Sequence, residues 1–142
     1  MPSSDETPMT PAEMLTVTEA MGWSRTDTCR VLGVKDRTVR WWMAEPGRIP
    51  QGVRLEIEDA EDATGRAVED LVNDLRGQQS PTVEVWRTDA EMWNARPETH
   101  PWPSRWWRVV AFRAALEVEG TVITWAGDPV ARQGAPQGDA DA

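Results

Sequence analysis

The chain has 142 residues, of which 39% are hydrophobic, with one cysteine and a formal net charge of −9. That length allows one ordinary domain or two small ones, and the modest apolar content favours two. A single cysteine excludes an intrachain disulfide, no apolar run is long enough to span a bilayer, and the first twenty residues lack the basic start and apolar stretch of an export signal, so a cytoplasmic protein is expected.

Residues 1–9 (MPSSDETPM) are polar and proline-containing, the composition of a disordered N-terminus. A first helix opens at Thr10, a good N-cap. Pro11 follows at the first helical position, Glu13 completes a Thr-x-x-Glu capping box, and Met14, Val17 and Met21 form its apolar stripe. Gly22 stops it, and Trp23 is expected to pack as a staple against the core. Ser24 with Asp27 forms a second capping box. Gly33 ends that helix, because glycine takes the left-handed conformation a tight turn demands. Val34 then drops between helices, and Asp36 is placed to cap a third helix. On that helix Val39 and Trp42 share the inner face, leaving Arg37, Thr38, Arg40 and Trp41 on the others. Two short helices joined at Leu32-Gly33-Val34 have the spacing of a helix-turn-helix motif.

Residues 43–52 hold two prolines and two glycines and read as a loop; Arg48 and Arg54 flank the next helix, where reach to a phosphate backbone stays open and loop solvation is the preferred reading. A long helix is predicted to Leu75 from Val53, Ile57, Ala60, Ala67, Val68 and Leu71 at helical spacing, with acids outward and Gly65 as its weak point. Residues 77–81 have linker composition. Beyond them, residues 82–87 alternate as a strand, Asp89 is placed to cap a short helix, and the proline-rich residues 96–104 form a loop. Residues 105–110 (RWWRVV) look extended, 111–118 helical, and 121–125 form another strand. The expected fold class is therefore α+β. It comprises a disordered 1–9, an all-α helix-turn-helix domain with a long helix at 10–76, a linker at 77–81, a small Trp-rich α/β unit at 82–126 and a disordered tail at 127–142.

Charge is unevenly placed. Residues 24–54 carry a net +4, whereas 1–23 carry −4, 55–76 carry −6 and 77–142 carry −3. The one positive island coincides with the helix-turn-helix spacing, and the acidic remainder penalises loose binding to any phosphate backbone.

From Thr10 to Pro50, the pattern Glu13, Met14, Val17, Met21-Gly22, Ser24, Leu32-Gly33-Val34, Arg37-Thr38-Val39-Arg40, Trp42 and Ile49-Pro50 resembles the Cro and phage-repressor (Xre-like) helix-turn-helix family of DNA-binding regulators. The order of a helix-turn-helix domain, a long helix and a compact α/β unit with a Trp107-Arg108 pair also resembles the anti-CRISPR-associated repressors of phages. The resemblance implies that Asp36, Arg37 and Trp41 face base edges with Thr38 and Arg40 beside them, while Arg25 and Lys35 face phosphate. Trp41 departs from the polar residue usual at its position, so thymine-methyl contact and packing against a neighbour both stay open.

Nothing in the sequence points to catalysis, a metal or a cofactor. His100 is alone, no nucleophile has a recognisable setting, and the acids of residues 56–62 read as a solvated helix face. Cys29 reads as a small packing residue. Trp86, Trp93, Trp102, Trp106 and Trp107 are too many for a unit of this size to bury completely, so some should face a partner and they are assigned to a homodimer interface, with a small, overfilled monomeric core as the alternative. The expected function is that of a dimeric (auto)repressor of phage or mobile-element origin whose two copies read an inverted repeat in double-stranded DNA. Two alternatives stay open: an antitoxin whose residues 82–142 clasp a toxin, and a protein-interaction adaptor that keeps the fold without DNA binding.

Overall fold

The structure, a computed structural model, describes residues 7–129. Six helices and two strands follow one another as α1 (Pro11–Ala20), α2 (Arg25–Leu32), α3 (Asp36–Ala44), α4 (Gln51–Arg76), β1 (Thr82–Val85), α5 (Asp89–Ala95), α6 (Ser104–Ala115) and β2 (Val122–Trp125), with a short 3-10 turn at Pro97–Thr99. The architecture is α+β. β1 and β2 pair in parallel, with Val83 opposite Ile123 and Val85 opposite Trp125, and α6 packs on both strands from the crossover between them.

Local chemistry sets the helix starts. Thr10 Oγ1 accepts from the Glu13 N–H at 3.0 Å while Glu13 Oε1 accepts from the Thr10 N–H at 2.9 Å, the reciprocal box expected for α1. Ser24 and Asp27 do the same for α2. Gly33 ends α2 at φ 71°, and Val34 returns its N–H to the Cys29 carbonyl at 3.0 Å. Three residues, Gly33 to Lys35, thus separate α2 from α3.

Asp36 does not cap α3. Lys35 holds the N-cap position without a side-chain hydrogen bond and Asp36 is the first helical residue, its carboxylate paired with Arg25 of α2 and with Arg40 one turn along α3. Asp89 differs from expectation in a similar way. Thr88 and Glu91 box the start of α5, and Asp89 Oδ1 instead accepts from the Ser104 N–H at 2.7 Å. It thereby caps α6, whose own N-cap is Pro103 and has no side-chain acceptor.

Residues 105–110 are helical, not extended. In α6 the buried Trp106, Trp107, Val110, Ala111 and Ala114 fall on one helical face, and only a helix turns all five toward the core. The main helix packing joins this face to α4, so residues 77–81 do not separate two independent cores. One hydrophobic cluster runs from Met9 to Val118, and the Thr82 N–H is held by Gln78 Oε1 across the connecting turn. Gly65 leaves α4 continuous over its 26 residues. At the N-terminus, Met9 is buried and the Thr7 carbonyl accepts from Arg54, so residues 7–9 belong to the fold. Gly127 to Pro129 are described, with the Asp128 N–H on the Trp125 carbonyl; the rest of the expected tail, and residues 1–6, lie outside the described residues.

The junction is aromatic. Trp23 meets Trp102 edge-on at 5.2 Å, Trp102 meets Trp106 at 4.7 Å, and the Trp106 N–H donates to Thr64 Oγ1 on α4 at 3.0 Å. Gly22 permits this closeness. It sits at φ 80°, and a Cβ there would stand 2.8 Å from the Arg105 carbonyl oxygen, so no side chain fits between α1 and α6.

Candidate nucleic-acid interface

α3 is held by one face and displayed by the others. Val39 and Trp42 are buried, while Lys35, Asp36, Arg37, Arg40 and Trp41 are exposed and Thr38 is half-buried. Arg25, at the start of α2, is exposed beside them. The residues expected to face bases and phosphates therefore share one surface formed by α2 and α3.

Asp36 organises this surface. Its Oδ1 lies 2.8 Å from Arg25 Nε and its Oδ2 lies 2.8 Å from Arg40 Nε, so one carboxylate holds the arginines of two helices. All three side chains are about half exposed or more, and exposed pairs of this kind contribute only about 0–1 kcal/mol each. A phosphate can therefore displace the carboxylate at little cost. Lys35 and Arg37 have no ion pair among the described residues and remain available as they stand. Behind this surface, the half-buried Cys29 packs against the core, and burial pushes its thiol up from the ordinary pKa with the Asp36 carboxylate adding to the effect.

Trp41 is 55% exposed, unusual for so large an aromatic. One ring face is occupied: the Arg48 guanidinium lies 4.4 Å from its centroid, donates to the Trp41 carbonyl at 3.2 Å and pairs with Glu45 at 3.5 Å. Arg48 thus belongs to this surface and is not simply loop-solvated. Its stacking depends on the fold of residues 45–50, which no spacing rule predicts. Arg54 is not solvated either: it pairs with Glu58 and reaches the Thr7 carbonyl.

Arg30 belongs to the same positive island but serves the interior. It pairs with Asp27 at 2.6 Å, donates to the Pro101 carbonyl at 3.0 Å and lies over the Trp93 ring at 5.3 Å, tying α2 to the second half of the chain.

The five tryptophans assigned to a dimer interface are turned inward. Trp106 and Trp107 are buried, and Trp86, Trp93 and Trp102 are half-buried against the same cluster. Three of their indole N–H groups are satisfied internally, by Trp102 O, Thr64 Oγ1 and Glu84 O. They fit because α4 provides the wall that a separate small unit would have lacked. The exposed large apolar groups of that half are instead Phe112, Leu116, Val122 and Ile123.

Among the described residues no group of three or more His, Cys, Asp or Glu side chains gathers to hold a metal ion, and no helix is long and apolar enough to cross a membrane. No protein-family model matches the chain, and a search of curated proteins finds no match.

Proposed function

We propose that this protein is a dimeric, sequence-specific DNA-binding transcriptional regulator, a repressor that occludes a promoter by binding an inverted repeat, with an origin in a phage or mobile element. One observation carries the reading. A short helix fastened by Val39 and Trp42 and preceded by an exposed Lys35 displays Arg37, Arg40 and Trp41 on its outer faces, within the one positive island of an acidic chain. The acidic outer face of α4 repels stray phosphate, so affinity has to come from contacts that a particular sequence completes.

Asp36 supplies the test. In the free protein it neutralises Arg25 and Arg40, and on DNA its carboxylate is suited to accept from a cytosine amino group. With full-length protein and the DNA upstream of its own gene, fluorescence anisotropy is expected to show salt-dependent binding that unrelated duplex does not match. Asp36→Asn is expected to raise affinity for unrelated duplex by about 3- to 10-fold at low salt and to steepen the salt dependence, because two arginines are released. Absence of wild-type binding to that DNA at any salt would remove DNA from the account and leave the adaptor reading.

Dimerisation is assigned to the exposed end of α6 and the neighbouring β2. Phe112 is exposed on α6 and Leu116 at its C-cap, Val122 and Ile123 are exposed on β2, and a two-stranded sheet leaves an open edge on each strand. Leu116 is 71% exposed, so Leu116→Asp leaves the fold intact. It is expected to turn a dimer into a monomer by light scattering and to weaken operator binding, since the second half-site contact is no longer intramolecular. An unchanged mass would move the contact elsewhere.

A further inference from the structure

We propose that the groove between α4 and β1 is a binding site for a small organic cation, an alkylammonium or guanidinium compound with an apolar body. The groove has a volume of about 960 Å³, and Trp86, Trp102, Trp106 and Trp107 contribute to its lining. That volume suits a small molecule. Two of the indoles offer it no hydrogen-bond donor, because the Trp106 and Trp107 N–H groups are already given to Thr64 Oγ1 at 3.0 Å and to the Glu84 carbonyl at 2.9 Å. The half-buried Trp86 and Trp102 add ring surface to the lining, and the face of an indole carries partial negative charge and attracts cations.

The charges of the lining point the same way. Asp70, Asp74, Glu84 and Glu98 border the groove, and its single cationic group among the described residues is Arg96, which pairs with Glu98 at 3.1 Å. Four carboxylates against one guanidinium leave the border negative, so an anion or nucleotide would be repelled, and a neutral ligand would gain nothing from the charge. Arg96 already performs the chemistry from within the chain. Its guanidinium lies 4.2 Å from the Trp107 ring centroid, so an incoming cation competes with it for that ring. None of these residues belongs to the α2–α3 surface, and the site stands whether or not the protein binds DNA.

Titration of the full-length protein with benzyltrimethylammonium chloride, followed by tryptophan fluorescence and calorimetry, is expected to give saturable binding. Neutral benzyl alcohol is expected to bind about tenfold more weakly or worse. The double variant Asp70→Asn, Glu84→Gln alters only exposed side chains and is expected to weaken cation binding by about 5- to 10-fold. Arg96→Ala is expected to tighten it by about 3- to 10-fold, because the internal competitor is gone. Cation binding that fails to saturate in both wild type and Arg96→Ala overturns the proposal. So does benzyl alcohol binding as well as the cation, or an Asp70→Asn, Glu84→Gln protein binding the cation as wild type does.

Discussion

Replacing Arg37 and Arg40 together by Ala is expected to lower affinity for the operator by about 30-fold to 10⁴-fold while leaving the melting temperature essentially unchanged, since contacts to bases or phosphates typically contribute about 1–3 kcal/mol each. The separation of the two effects follows from their surroundings. Arg37 is exposed without an ion pair among the described residues, and Arg40 makes only the exposed pair with Asp36. Losing that pair costs at most about 1 kcal/mol, and alanine's higher helix propensity offsets part of it. Anisotropy on the native promoter measures the first quantity and circular dichroism melting the second. Wild-type affinity in the double variant would remove α3 from the DNA contact, and a large loss of stability would show that these side chains hold the fold.

How far the sequence disclosed this arrangement depended on the range of the interactions involved. The boxes at Thr10 and Ser24, the left-handed Gly33 and the long α4 were legible because each rests on contacts within three or four residues. Residues 105–110 misled because a run of Trp and Val suits a strand locally, and only the facing wall of α4 rewards a helix there. The tryptophans misled for the same reason. Counted against a unit of their own they were in excess, but against α4 they are an interior.

The candidate DNA surface was partly legible in the same sense. Spacing placed Arg37, Arg40 and Trp41 outward, as they are, but it could not show that Asp36 ties Arg40 to Arg25 or that Arg48 stacks on Trp41. Nor could counting charge in residues 24–54 reveal that Arg30 and Arg54 are engaged elsewhere. That depends on where Pro101 and Thr7 come to rest.

Trp106→Ala is expected to destabilise the protein by about 3–5 kcal/mol, the usual cost of truncating a buried aromatic. The site has little means of collapsing around the loss. Trp106 lies between Trp102 at 4.7 Å and Trp107 at 6.0 Å, and its N–H is the link to the buried Thr64 on α4. Because one cluster joins the helices of residues 10–76 to the sheet and α6, the loss is expected to act on a single cooperative transition observed alike by tryptophan fluorescence and by far-ultraviolet circular dichroism. Two resolved transitions in urea, with only the second moved by the substitution, would mean that residues 10–76 fold by themselves. The expected contrast is Trp41→Ala, where the ring is 55% exposed and its neighbour Arg48 keeps Glu45 as a partner, so stability changes little. Two tryptophans 65 positions apart are thus expected to differ in readout: loss of Trp106 as unfolding, and loss of Trp41, under the proposed function, as weaker DNA binding on an intact fold.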